Sequence, residues 1–225
     1  MGIQRCAAIL AMAALEVVGG DLNGRLIITK QLSRKTVATA VYNLRGAALP
    51  AATPATEPVN EFDRMVVILD AKSAVPPEPQ KLVMEQRNGR FDPDLMVVST
   101  GSTVEFPNAD PIFHNVFSLS STQSFDLGFY PKGQTRTVKL NRSGIVQVYC
   151  HIHANMYAAI VVTSSPWYGK PSADGSFSWS RIPPGHYRVL AWHKVAGMHQ
   201  TTVDIPANGA VDVTMRIPID VGGRP

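Results

Sequence analysis

The chain has 225 residues, 45% of them apolar and 17% charged, with a formal net charge of +4. That apolar share is enough to bury a real core, which excludes an intrinsically disordered chain. Arg34, Lys35, Arg136, Lys139 and Arg142 are scattered, without the aromatic interleaving of a nucleic-acid surface, so they read as a solvated face that suits an acidic partner.

Residues 1–20 start with a positive charge at Arg5, continue as an apolar run from Cys6 to Leu15 and end in Val18-Gly19-Gly20. This is the pattern of a secretory signal peptide cleaved near Gly20, and it predicts a periplasmic or secreted protein. Glu16 interrupts the run, and an N-terminal strand or core helix is the competing reading. No later segment is long enough to cross a bilayer as a helix. Removing the leader also removes Cys6, which leaves Cys150 as the only thiol and rules out an internal disulfide.

From Asp21 onward the apolar residues fall in short, β-branched runs. Residues 25–29, 36–42 and 65–69 read as strands, with an Ala/Pro/Thr loop at 47–58 and a proline break at Val75-Pro76-Pro77-Glu78-Pro79. Strands are then expected at 82–86, 95–98 and 103–106. The loop Pro107-Asn108-Ala109-Asp110-Pro111 delivers Phe113 to Ser118, where Phe113, Asn115 and Phe117 share one side and His114 the other. After a segment at 125–130, residues 134–140 and 145–150 read as a hairpin, and 158–163 as the strand that closes this series. Beyond Ser165-Pro166 the pattern is turn-rich β again, with strands ending near Trp179 and Trp192 and two more at 201–205 and 211–217. With no helical stripe of any length, the chain is predicted to be all-β.

The chemistry concentrates in Cys150-His151-Ile152-His153-Ala154-Asn155-Met156. A thiolate, imidazoles and a thioether form a soft ligand set that Mg²⁺ and Ca²⁺ do not seek, and copper is the natural candidate. Zinc, which also takes Cys and His, and ordinary packing are the competing readings. A specific site needs a ligand from far away in the sequence, and His114 is the candidate.

Gly101-Ser102-Thr103-Val104-Glu105-Phe106-Pro107-Asn108, followed by His114-Asn115 and then Cys150-x-x-His153-x-x-Met156, resembles the plastocyanin-like cupredoxins. The short ligand loop is similar to that of amicyanins, the methylamine-utilisation type. The resemblance covers about residues 81–163. It implies a Greek-key β-sandwich holding one type 1 copper, with His114, Cys150 and His153 equatorial and Met156 axial. Asn115 matches the family's asparagine that ties the two ligand loops together. The residue after the cysteine is usually Ser or Thr in that family and is His151 in this chain. His151 is expected either to replace the hydroxyl as hydrogen-bond partner, to point to solvent, or to bind metal itself.

Asp174-Gly175-x-Phe177 and Ile182-Pro183-x-Gly185-x-Tyr187-x-Val189 resemble the second half of a carboxypeptidase regulatory-like, transthyretin-type β-sandwich. Its opening strands are missing just upstream, and residues 24–28 and 64–70 are the candidates to supply them. The expected organisation is a signal peptide at 1–20, an outer sandwich from 21–80 with 164–220, an inserted cupredoxin at 81–163 and a tail at 221–225. The alternative is a cupredoxin with an N-terminal extension and a separate C-terminal module. His186, His193 and His199 have no ligand spacing and are expected at the surface or between domains.

The resemblance implies an exported electron carrier rather than an enzyme, with redox partners such as a c-type cytochrome or a periplasmic dehydrogenase. Two other classes compete. One is a copper-binding structural or sensory envelope protein. The other is a copper oxidase or nitrite reductase subunit, which would need further copper ligands than Tyr149-Cys150 and its neighbours offer.

Overall fold

The computed structural model describes residues 19–29, 60–71 and 77–217. The expected signal peptide as far as residue 18, the expected strand at 36–42 and loop at 47–58, and the expected tail at 221–225 lie outside the described residues. In chain order the strands are β1 (Gly20–Ile28), β2 (Met65–Asp70), β3 (Lys81–Val83), β4 (Glu85–Arg87), β5 (Arg90–Asp92) and β6 (Leu95–Ser99). They continue with β7 (Thr103–Pro107), β8 (His114–Leu119), β9 (Ser124–Tyr130), β10 (Thr135–Lys139), β11 (Gly144–Tyr149) and β12 (Tyr157–Thr163). The last are β13 (Tyr168–Gly169), β14 (Ser176–Ile182), β15 (Gly185–His193), β16 (Gly197–Ile205) and β17 (Ala210–Ile217). A single 3₁₀ turn at Glu61–Arg64, capped by the Asn60 side chain, is the one helical element among the described residues. The protein is all-β.

Two sheets carry the middle of the chain, one ordered β6-β12-β11-β8-β9 and the other β10-β7-β3. Each contributes alternate residues to one core: Val116, Val146, Val148 and Ile160 from the first meet Val104, Phe106 and Val138 from the second. β12 runs parallel to β6 and β3 parallel to β7, so neither pair is joined by a simple hairpin.

The first two and the last five of the described strands meet in a second pair of sheets. β1 lies between β14, to which it is antiparallel, and β17, to which it is parallel. β2 lies between β13 and β15, pairing Leu69 with Val189 and Val67 with Ala191. Leu22, Leu26, Val67, Leu69, Val189, Val203 and Ile217 form the shared core. The turn before β14 requires its glycine: Gly175 has φ +83, and a Cβ there would stand 2.5 Å from the Leu26 carbonyl oxygen.

A third cluster joins the two cores. Val66, Ile68 and Trp192 pack with Leu95, Ala159 and Val161. This explains why Met65-Val66-Val67-Ile68-Leu69 is a continuous apolar run and not an alternation, since one side of β2 faces the outer core and the other faces this seam.

The segment 82–86 is not one strand. The chain breaks at Met84, and β4 turns back at Asn88-Gly89 to form a hairpin with β5. Both turn residues have positive φ, 54° and 65°, the conformation that an Asn-Gly pair favours. His193, expected at the surface or between domains, is fully buried because Glu61 supplies an acceptor inside the outer sandwich.

Candidate metal centre

His114 opens β8 and points into the core, as its parity opposite Phe117 requires. Cys150 follows directly on β11, and Met156 directly precedes β12. Because Tyr149 and Tyr157 are paired across those strands, Cys150–Met156 is the loop of a hairpin. A hydrogen bond from the Met156 N–H to the His153 carbonyl, 2.9 Å, tightens that loop and turns His153 back toward His114.

The donor atoms converge. His114 Nδ1 lies 3.0 Å from His153 Nδ1 and 3.9 Å from Cys150 Sγ, and His153 Nδ1 lies 3.6 Å from the same sulfur. Metal bonds of about 2.0 Å to nitrogen and 2.3 Å to sulfur, at angles of about 100–120°, separate such donors by roughly 3.1–3.8 Å. The three residues therefore already stand near the spacing that one ion would impose. Met156 is buried in the same core as Cys150. His151 is not part of the converging set.

The electrostatics suit a cation. Burial pushes the Cys150 thiol up, but His114 and the backbone N–H groups of Asn115 and Ile152 outweigh it, and the net shift is below the ordinary thiol value. Burial pulls the His114 imidazole down, and the hydrogen bonds and charges of Cys150 and Asp110 reverse that, so it is raised. His153 is lowered, by burial first and then by repulsion from His114, which keeps its lone pair free.

Asp110 belongs to this cluster, although the sequence reading did not single it out. Its buried carboxylate accepts the His114 Nε2–H at 2.8 Å, which leaves Nδ1 facing the thiolate. The backbone N–H groups of Asn88 and Gly89, at 2.6 and 2.8 Å, hold the same carboxylate. The Asp110 acid is accordingly lowered, its own burial being outweighed by these three donors. Two signals were available: the Asn88-Gly89 hairpin dipeptide and a carboxylate four residues before His114. Asn108 shapes the intervening loop by donating to the Ile112 and Tyr130 carbonyls and accepting the Asp110 N–H.

Asn115 is buried. Its carboxamide donates to Asp126 Oδ1 at 2.6 Å and its oxygen accepts the His151 N–H at 3.4 Å. His151 Nε2 meets the other Asp126 oxygen at 3.3 Å, and its ring lies flat on Phe117 with centroids 3.8 Å apart. Asp126 therefore links the side chains of Asn115 and His151, so that of the three expectations for His151 the hydrogen-bonding one describes it, through its own N–H and through Asp126. Around the ligand loops Phe113, Phe129 and Ile152 are 56%, 53% and 46% exposed.

No family model and no curated protein matches the chain. Solved structures do. An amicyanin variant in its reduced Cu(I) form aligns over 43% of this chain and 98% of its own, at 18% identity and a TM-score of 0.35. A copper-containing nitrite reductase from Thermus scotoductus aligns over 48% of this chain but only 27% of its own, at 22% identity and a TM-score of 0.35. A purple cupredoxin from Nitrosopumilus maritimus aligns over 33% of this chain and 83% of its own, at 22% identity and a TM-score of 0.31. These are partial likenesses of fold, and the functional reading below rests on the chain's own residues.

Proposed function

We propose that this chain is an exported type 1 copper protein that carries single electrons, with His114, Cys150 and His153 as equatorial ligands and Met156 as the axial one. The observation that carries the proposal is the convergence of two imidazole nitrogens and one sulfur on a single point, with His114 and Cys150 buried and His153 half-buried. A thioether completes a poor zinc site but a good copper site. When bound, copper would supply reversible one-electron Cu(I)/Cu(II) chemistry. Asp110 holds the His114 tautomer, and Asp126 ties the loops of Asn115 and His151, so the ligands stay in place when charge at the site changes. The apolar surface of Phe113, Phe129 and Ile152 suits brief docking of a redox protein, such as a c-type cytochrome or a periplasmic dehydrogenase. Residues 81–163 would form the copper module, inserted in an outer sandwich made of 21–80 and 164–220.

A second reading, a copper-binding structural or sensory envelope protein, is favoured by the outer sandwich packed against β6 and β12 through Trp192. A diffusing carrier needs no such partner. The test is the visible spectrum of the Cu(II)-loaded protein beside that of Cys150→Ser. An intense band that bleaches with reductant and is lost in the variant is expected. A colourless protein that retains zinc would overturn the electron-carrier reading.

A further inference from the structure

An open cavity of ≈ 390 Å³ lies on the outer sandwich, lined by Asp21, Asn23, Trp167, Ser178, Trp179 and Ser180. Its floor belongs to β1 and β14, where Asn23 pairs with Ser178 and Leu22 with Trp179. Both indoles are half-buried, whereas Asp21, Asn23, Ser178 and Ser180 are exposed.

The aromatic walls are fixed. Trp167 donates its indole N–H to the Ser180 carbonyl at 3.3 Å and its backbone N–H to Ser165 Oγ at 3.2 Å. Trp179 packs against Phe177 with centroids 5.0 Å apart. Beside the cavity, Arg181 is a non-glycine residue in the left-handed region, φ 57, and its N–H is held by Asp21 Oδ1 at 3.2 Å. Backbone outliers of this kind collect at ligand sites. The same bond leaves the second oxygen of Asp21 available. Asn23 spends its amide on Asp212, which leaves its carbonyl oxygen as an acceptor.

The lining selects a ligand chemistry. It contains a carboxylate and neither Lys nor Arg, which disfavours phosphates and other anions. A purely apolar ligand would leave a carboxylate, a carboxamide and two hydroxyls unpaired. A quaternary ammonium ion would use the Trp167 indole and Asp21 but strand Asn23 and both serines. A sugar ring pairs the indole of Trp167 with the polar side chains, its C–H face on that indole and its hydroxyls on Asp21, Asn23, Ser178 and Ser180. Trp179, which shares the inner face of the sheet with Leu22, backs the cavity from behind. We infer that the outer sandwich binds carbohydrate, taking a neutral hexose unit of a glycan in this cavity. The inference is independent of copper.

The test is intrinsic tryptophan fluorescence of the full chain, metal-free, titrated with maltohexaose, cellohexaose and N-acetylchitohexaose, with choline as comparison. A saturable change with at least one sugar is expected, lost in Trp167→Ala. In Asn23→Ala the sugar should bind roughly fivefold more weakly, the loss of one hydrogen bond, with the same thermal unfolding. Asn23→Ala and Ser178→Ala decide the matter if Trp167→Ala does not fold. No saturation by any of the three sugars, unchanged affinity in both surface variants, or saturation by choline alone would overturn the inference.

Discussion

Both sandwiches bury a histidine against a carboxylate, yet only one of the two arrangements can hold a metal. In the middle sandwich His114 gives its Nε2–H to Asp110, and in the outer one His193 gives its Nε2–H to Glu61 at 3.1 Å. The difference lies in the other nitrogen. His114 Nδ1 faces a thiol and a second imidazole, whereas His193 Nδ1 already accepts the N–H groups of Val195 and Ala196 at 3.1 and 3.0 Å. The shifts follow: His114 is raised and His193 lowered, the latter chiefly by burial, with Glu61 pulling the other way. A carboxylate–imidazole pair thus becomes a metal ligand only where the fold leaves the second lone pair unspent.

The largest effect should come from the seam between the sandwiches. Trp192→Ala removes a buried indole packed on Leu95 and Val161, and should cost about 3–5 kcal/mol. Denaturant unfolding should then separate into two transitions. A single transition at the wild-type midpoint would mean that the two cores do not depend on this contact. Next in size is Asp110→Asn, which keeps the shape but weakens the hold on His114. Copper affinity, measured by competition with a chelator, should fall about 10–100-fold. Glu61→Gln should leave that affinity unchanged, and a comparable loss in both variants would erase the distinction drawn between the two histidines.

Acid should separate the two regions further. Because the folded pKa of His193 is depressed, the unfolded state binds the extra proton. The contribution of neutral His193 is therefore complete above the ordinary histidine value of 6.5 and is lost as pH falls through the folded value. Each unit of depression is worth about 1.4 kcal/mol. Near-ultraviolet circular dichroism should report loosening around Trp192 in this range, and His193→Phe should flatten the response. Asp126→Ala should have the smallest effect. Its His151 contact is exposed and its Asn115 bond only part-buried, so stability should fall by no more than about 1 kcal/mol. Copper should nevertheless leave severalfold faster in stopped-flow chelation, because Asn115 and His151 lose their shared acceptor. An unchanged rate would mean that the Asn115–His151 bond alone holds the loops.

What was legible in the sequence was legible for local reasons. Strand positions in the middle of the chain follow from β-branched runs and turn residues, and parity alone put His114 on the opposite side from Phe117. Adjacency put a thiol, imidazoles and a thioether on one loop. The Asn88-Gly89 hairpin was passed over because Leu82 to Gln86 looks like one strand, although Met84 ends the pairing there. Asp110 was passed over because it sits in a proline-flanked loop, where a carboxylate ordinarily faces water.

The sequence by itself determined that the chain is all-β, and that its soft donors lie at one strand end with a distant histidine to complete them. Only the tertiary structure decided that Asp110 reaches His114, that Asp126 bridges Asn115 and His151 and that His193 is spent internally. It also decided the register in which β1 and β2, the segments the sequence offered as the missing strands of the outer sandwich, pair with β14, β17 and β15. The physical reason is the same in each case: hydrogen bonds and strand pairings between distant segments depend on register and facing, and neither leaves a periodic trace in the residues themselves.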